Sequence, residues 1–350
     1  MKKPNFRVIR FVVRAGAGWA RNKVRKCARR LTGREVLFRE VMSDERSLFL
    51  RQYILHVTGI RPIRMMTSVW RGVHEGPGSQ ALMAMCAMNF ARSNGFTYVH
   101  TPFVTVHGAD RPTEEWVRMW EDLFNLGAGE VPCTAPRHKV VNYCHILVDI
   151  ERCFGWEGRT NELARNCIAM IPELRQKYYR GKKPRTTREI TVAINIRRGE
   201  VSASQFPHIF TANEVVLQTA RNVKTVLDAS GAPYRINLYT NGDDSEFEAF
   251  SEVGAHIFTN PAVDPVWTMQ ELIEADVLIM GKSSFSFYAG LISDGIKIFD
   301  PPTGPRTWSW WDRFPIDDWI PCRPDGSIDA ASFAQQLDTL IRLKRQVAPL

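Results

Sequence analysis

The stretch TVAINIRRGE, residues 191–200, decides the fold of this chain. Apolar and small residues fill its first part almost without a break, which predicts a buried strand over 189–195, and the strand leads directly to Arg197 and Arg198. A guanidinium is always charged, and its planar fork matches the oxygens of a phosphate. Because such a group at the end of a buried strand is unfavourable without an anion, the stretch indicates a phosphate site. An arginine–carboxylate pair between domains is the alternative.

Strands and helices alternate on the C-terminal side of this strand. The apolar patterns and turn residues predict, in order, a helix over 213–230, a strand over 235–240, a short helix over 245–252, a strand over 256–259, a helix over 268–275, a strand over 277–280, a helix over 284–292 and a strand over 297–299. Alternation of this kind predicts a doubly wound parallel sheet, whose ligands lie outside the carboxyl ends of its strands.

The N-terminal half shows a similar alternation. Its patterns predict a strand over 67–70, a helix that begins near residue 79 and includes 81–94, a strand over 97–100 and a helix over 113–125. Gly95 is the predicted C-cap of the first helix, and Thr113 is the predicted N-cap of the second. A basic, glycine- and proline-containing linker at 176–188 separates the two halves.

The predicted domain organisation has three parts. Residues 1–36 form a basic amphipathic arm, residues 37–184 form an N-terminal α/β domain, and residues 185–350 form a C-terminal α/β domain with a C-terminal helix. A chain of 350 residues is long enough for two such domains, each with its own core. The predicted fold class is therefore α/β, with two Rossmann-like doubly wound domains facing a cleft.

The composition is that of a soluble globular protein, with 44% apolar and 24% charged residues. No apolar stretch approaches the roughly 20 residues that span a bilayer, and no secretory signal is recognisable. The seven cysteines are odd in number and form no Cys-x-x-Cys pair, which argues against a disulfide scaffold or a zinc ribbon. We expect a cytoplasmic protein.

The formal charge of +9 is concentrated in the arm. Residues 1–34 contain twelve Lys and Arg and neither Asp nor Glu, and subtracting these twelve charges from the total leaves −3 for the rest. Nucleic-acid binding by the body is therefore not predicted. Arginines at helical spacing favour an interfacial helix on an anionic membrane surface, which would place the protein peripherally on the inner face of the membrane. A solvated basic tail is the alternative.

A second predicted strand end also suits a phosphate. The stretch ADVLIMGKSSFS, residues 275–286, predicts a strand, a small polar loop and a helix. The free N–H groups and positive dipole end of such a helix favour an anion, and the hydroxyls of Ser283 and Ser284 add donors. Either serine is also a suitable N-cap, and both roles are compatible.

A third predicted strand end carries two carboxylates. The stretch LYTNGDD, residues 238–244, places Thr240, Asp243 and Asp244 in a polar loop. These groups are candidates for holding a ribose or a base edge. Capping of the helix that follows is the alternative, and it is the favoured role for Asp244.

The order and spacing of these three motifs resemble the fucosyltransferase group with a GT-B fold, which includes the α1,6-, α1,2- and nodulation fucosyltransferases. The shared His-x-Arg-Arg-Gly-Asp motif is similar to the stretch from Asn195 to Glu200, and the resemblance covers about 185–300. The stretch GPGSQ at 76–80 looks like the Gly-x-Gly-x-Gln loop of the first domain in this group. Asn195 replaces the family histidine and Glu200 the aspartate, which leaves the preference for guanine open.

The resemblance implies a metal-independent transfer with inversion from GDP-fucose, a co-substrate, with no other cofactor. Arg197 would grip the β-phosphate and stabilise charge on the leaving diphosphate, and Glu200 is a candidate general base. The implied donor-binding residues are Asn195, Arg197, Arg198, Thr240, Asp243, Asp244, Ser283 and Ser284. The implied acceptor-side loop contains His74, Gly76, Gly78 and Gln80.

These observations predict a glycosyltransferase that transfers fucose to a glycan acceptor during polysaccharide biosynthesis. A second hypothesis keeps the fold and changes the donor sugar or base. A third is a non-catalytic binding protein on the membrane surface with a degenerate donor site. This hypothesis stays open because Asn195 and Glu200 replace residues of the family motif.

Overall fold

The computed structural model describes residues 65–68, 76–104, 111–134, 140–183, 185, 187–199, 201–207, 209–259, 264–301, 316 and 318–347, and within 148–162 and at 165 the backbone alone. The predicted arm at 1–36 lies outside the described residues, as do His74 and Glu200. Within the described part, no helix combines the length and apolar content needed to cross a bilayer.

The N-terminal half contains a four-stranded sheet. Its elements are β1 (Met65–Thr67), α1 (Pro77–Ser93), β2 (Thr97–His100), α2 (Thr113–Phe124), β3 (Val131–Pro132), β4 (Val140–Asn142) and α3 (Tyr143–Tyr179). The strand order is β3-β2-β1-β4, and every pair is parallel.

The C-terminal half contains a six-stranded sheet. Its elements are β5 (Ile190–Ile196), α4 (Asn213–Ser230), β6 (Tyr234–Thr240), β7 (Ala255–Phe258), α5 (Pro265–Ile273), β8 (Val277–Met280), α6 (Ser284–Ile292), β9 (Ile296–Phe299), β10 (Ile320–Pro321) and α7 (Ala330–Val347), with 3₁₀ segments at Asp244–Glu246 and Glu248–Val253. The strand order is β10-β9-β8-β5-β6-β7, and every pair is parallel.

The direction of winding reverses at β5. The chain passes from β5 to β6 and β7 on one side, and then to β8, β9 and β10 on the other. A ligand crevice is expected outside the carboxyl ends of the strands where such a reversal occurs, which here is between β5 and β8. The predicted α/β fold with two parallel sheets is confirmed, and the second sheet is doubly wound.

The two faces of β5 are covered by different helices. Alternate residues Ile190, Val192, Ile194 and Ile196 belong to one buried core with Val216, Ala220 and Val223 of α4. On the other face, α5 packs against β5 and α6. Burying an aliphatic side chain of this size contributes about 1.5–3 kcal/mol, so a strand buried on both faces is strongly fixed in position. The carboxyl end of β5 is therefore a rigid support.

Several local predictions were wrong in detail. Pro112, rather than Thr113, is the N-cap of α2, and no side chain caps that helix. The helix predicted over 245–252 is two short 3₁₀ segments. The helix α3 continues to Tyr179, into the predicted linker. Gly95 does adopt the left-handed conformation, with φ of 74°, just after α1 ends.

Contacts divide the chain into two units. Among the described residues, the first contains 65–68, 82–104, 126–134 and 140–170, and the second contains 76–81, 111–125 and those from 171 onward. In the second unit, Trp120 and Phe124 of α2 pack edge-on against Phe285 and Tyr288 of α6. The domain bounds given above stay a prediction.

Candidate functional site

The two arginines that follow β5 have different surroundings. Arg197 is exposed, whereas Arg198 is 6% exposed. The Arg198 guanidinium donates to the carbonyl oxygens of Arg197 and Thr211, at 2.8 Å each, and to the side chain of Asn213. It also lies over the ring of Phe210, 4.5 Å from the centroid. Burial lowers the pKa of Arg198, and the carboxylates of Glu246 and Glu214 oppose that shift.

Asn241 holds the backbone of this turn, and sequence reasoning did not single it out. Its Oδ1 accepts from the Arg198 N–H at 2.6 Å, and its Nδ2 donates to the Arg198 carbonyl oxygen at 2.7 Å. Gly199 follows with φ of 70°, and a Cβ there would lie 2.8 Å from Asn241 Nδ2. The Asn-Gly pair after β6 was a recognisable turn signal, but nothing in the sequence indicated its partner.

A chain of polar contacts connects three strand ends. Thr211, whose carbonyl accepts from Arg198, donates its hydroxyl to Asp300 Oδ2 at 2.7 Å. Lys282, which follows β8, places its Nζ 2.9 Å from the same oxygen, and its side chain is 9% exposed. Asp300 thus binds the Lys282 ammonium directly and is linked to Arg198 through Thr211.

The helix N-terminus after β8 is fixed closely to β5. Ser283 is the N-cap of α6, and its hydroxyl accepts from the Ser286 N–H at 3.3 Å. The hydroxyl of Ser286 donates to the Gly281 carbonyl at 2.7 Å. A Cβ on Gly281 would lie 2.7 Å from the carbonyl oxygen of Asn195, so only glycine fits here. Ser284, the first residue of α6, is half-buried.

The predicted acceptor-side loop meets this helix N-terminus. A Cβ on Gly78 would lie 2.7 Å from the carbonyl oxygen of Ser284 and 3.0 Å from Phe285 Cα. Gly76 is exposed and accepts at its carbonyl oxygen from the Gln80 N–H at 3.1 Å, and the Gln80 side chain is buried. The N-termini of α1 and α6 therefore lie together, with their positive dipole ends at one place.

The loop after β6 contains an N-cap, but the capping residue is Asp243 and not Asp244, which the sequence favoured. Asp243 is the N-cap of the first 3₁₀ segment, and its N–H donates to Glu246 Oε1 at 3.0 Å. Asp244 instead accepts from the Thr259 hydroxyl at 2.5 Å. Thr240 is half-buried, and its hydroxyl accepts from the Gly242 N–H at 3.1 Å. The favoured capping role of Asp244 was therefore wrong, because the shorter 3₁₀ segment begins one residue earlier.

Asn195 is nine-tenths buried and lies in register with Tyr239 of β6. Its Nδ2 donates to the Tyr239 carbonyl oxygen across a long 3.4 Å. The described residues contain no group of three or more His, Cys, Asp or Glu side chains placed to hold a metal ion.

Sequence comparisons match the chain to no family model and to no curated protein. Comparison of structures gives weak similarities. The E. coli heptosyltransferase WaaC with ADP-2-deoxy-2-fluoro heptose matches at a TM-score of 0.36 and 11% identity, over 80% of this chain and 99% of that one. POFUT1 in complex with GDP matches at a TM-score of 0.21 and 12% identity, over 77% and 78%. The wall teichoic acid polymerase TagF matches at a TM-score of 0.25 and 13% identity, over 89% and 90%. Scores this low leave the function to be argued from the site itself.

Proposed function

We propose that the chain is a glycosyltransferase that uses a nucleotide-sugar donor, and that the donor diphosphate binds at the β5/β8 reversal. The observation that carries this proposal is the convergence of positive groups there. Exposed Arg197 follows β5, half-buried Lys282, paired with Asp300, follows β8, and α6 begins at Ser284. Each is a group that attracts phosphate oxygens, and a switch point in a parallel sheet is where such ligands bind.

The proposed reaction is the displacement of the diphosphate from the sugar carbon by an acceptor hydroxyl, with inversion and without a metal ion. The bond to the leaving oxygen breaks as the bond to the acceptor oxygen forms, and negative charge develops on the diphosphate. Arg197 and the N–H groups of α6 would stabilise that charge more in the transition state than in the ground state. Glu200 is proposed as the base that accepts the hydroxyl proton.

The finer proposal is that the donor is GDP-fucose and the acceptor a glycan. It rests on the motif resemblance around Asn195–Glu200 and 275–286. A different nucleotide sugar is the alternative within the same fold. The basic segment 1–34 is proposed to bring the enzyme to an anionic membrane surface, where glycan acceptors linked to lipid would be within reach.

The test compares donor hydrolysis by the wild type with that by Arg197→Ala and Arg197→Lys. Removing one donor to a developing anion lowers the rate on the order of 100- to 1,000-fold. Arg235→Ala is the matched control, because Arg235 is, like Arg197, an exposed arginine, and it lies at the amino end of β6, the opposite edge of the same sheet. Rates for Arg197→Ala equal to those for Arg235→Ala would refute the assigned role.

Calorimetric titration with GDP, UDP and dTDP tests the donor class. The proposal predicts binding of at least one nucleotide, with GDP the tightest. Preference for UDP would exclude the fucose donor and leave the glycosyltransferase standing. Failure of the wild type to bind any of the three would overturn the enzyme proposal and favour a non-catalytic protein.

A further inference from the structure

Three aromatic rings form a cluster at the carboxyl edge of β6 and β7. Tyr239 and Phe258 stack with their centroids 5.2 Å apart and only 10° between their planes. The indole of Trp267 meets both rings edge-on, at 5.5 Å from each centroid. Tyr239 is fully buried, Phe258 is half-buried and Trp267 is 38% exposed. The cluster therefore presents one large ring to solvent and fixes it from behind.

The position of the cluster follows from the sheet. Phe258 is the last residue of β7, and Trp267 lies in the first turn of α5, which leaves the same edge of the sheet. Asp264 fixes that turn, because its carboxylate accepts from the Val266 N–H at 2.8 Å and pairs with Arg111 at 2.7 Å. The Trp267 ring is thus held by packing and by a capped helix, and little side-chain freedom remains to be lost on binding.

A buried amide lies in the same row. Asn195, Tyr239 and Phe258 are partners in register across β5, β6 and β7, so their side chains are on one face of the sheet. The Asn195 Nδ2 donates to the Tyr239 carbonyl, which can only accept, and this fixes the orientation of the amide. Asn195 therefore continues the row from the aromatic cluster to β5, the strand that Arg197 follows.

The row also has the right span. Neighbouring strands are about 4.8 Å apart, so the end of β7 is about 10 Å from the end of β5, where Arg197 follows. A molecule with phosphate at one end and a planar ring at the other, joined by a ribose, would reach across β6. The polar loop after β6, with Thr240, lies between the two ends.

We propose that Trp267 is the stacking surface for the base of a purine nucleoside diphosphate. This inference rests on the proposed donor site and adds which residue selects the base. A purine overlaps an indole more fully than a pyrimidine does, and stacking strength sets base preference when no full set of edge contacts does. Trp267 is therefore a specificity-determining residue.

The experiment is calorimetric titration of the full chain with GDP, ADP, UDP and inorganic pyrophosphate. Wild type is compared with Trp267→Ala, Trp267→Phe and the control Leu343→Ala, which removes an exposed apolar side chain from α7. Losing one base-stacking contact weakens binding roughly 5- to 150-fold. We expect this loss for GDP and ADP with Trp267→Ala, partial recovery with Trp267→Phe, and unchanged binding of pyrophosphate throughout.

The outcomes separate the two proposals. If pyrophosphate and the nucleotides bound the wild type and Trp267→Ala equally well, the stacking role would be overturned and the donor site would stand. Equal affinity of the wild type for UDP and GDP would overturn the purine preference without any variant. Failure of pyrophosphate and of all nucleotides to bind the wild type would overturn the donor site, and the stacking role with it.

Discussion

Replacement of Asn241 by alanine tests whether the turn after β5 is held by a single side chain. Asn241 forms two short hydrogen bonds, at 2.6 and 2.7 Å, to the N–H and the carbonyl of Arg198. Alanine cannot form either bond. The turn also contains Gly199, whose φ is 70°.

The expected loss of stability follows from these two bonds. A hydrogen bond within a protein contributes about 0.5–1.5 kcal/mol net, so two give about 1–3 kcal/mol. For a folding unit of roughly 150–250 residues, each kcal/mol lowers Tm by about 2–4 °C, so a fall of about 4–8 °C is expected for a central value of 2 kcal/mol. Because the turn carries Arg197, pyrophosphate affinity should fall as well.

Denaturant unfolding and calorimetry measure both effects. Asn222→Ala is the matched control, since Asn222 is a part-buried asparagine whose Nδ2 donates at 2.7 Å to Gln218 O within α4 and, at 3.4 Å, to Gly326 O. We expect that control to lose about 0–1 kcal/mol, because its one short hydrogen bond contributes about 0.5–1.5 kcal/mol and alanine regains roughly 0.5 kcal/mol of helix propensity. If Asn241→Ala were no more destabilising than Asn222→Ala, the turn would be held by other contacts and the reasoning would be wrong.

Two further predictions concern the same sheet. Gly281→Ala places a Cβ 2.7 Å from the Asn195 carbonyl oxygen, so denaturant unfolding should show a free energy of unfolding lower by about 1–3 kcal/mol. Gly76→Ala is the control and should show no loss, because a Cβ there has nothing within 4 Å. Equal losses in the two variants would contradict the close approach. Burial lowers the pKa of Lys297 to about 8, from 10.5, so the unfolded chain binds more protons between these values. The free energy of unfolding should therefore rise by about 3 kcal/mol from pH 8 to 10.5, at 1.36 kcal/mol per unit, and Lys297→Met should remove the rise; a rise that persists in the variant would exclude this cause.

The sequence was most informative where local patterns and packing agree. Helices α4 and α6 and strand β8 begin and end as predicted, because apolar periodicity, caps and strand length point to the same bounds. The short strands β3, β4 and β10 were not predicted, since two or three residues carry no recognisable period. The long helix α3 was also missed, because its Gly155 and Pro172 are typical of breaks.

The site was predictable at its strand ends and unpredictable in its contacts. Arg197, Ser283 and Ser284 follow predicted strands, so their place at the carboxyl edge was foreseeable. Asn241, Asp300 and Thr211 act through partners 43 to 89 residues away in sequence, and a single sequence has no signal for such pairs. The same holds for Trp267, which becomes notable only when register places Tyr239 beside Phe258.

The Arg-Arg pair illustrates why adjacency in sequence does not imply a shared role. Residues in β5 alternate between faces, and the series Ile194 and Ile196 lies in the core with α4. Arg198 continues that series, and its contacts with Thr211 and Asn213 lie at the start of α4. Its donors are directed to protein oxygens, so it holds the turn from within. The proposed phosphate contact therefore belongs to Arg197. Successive side chains of an extended chain point to opposite sides, so the burial of Arg198 leaves Arg197 exposed.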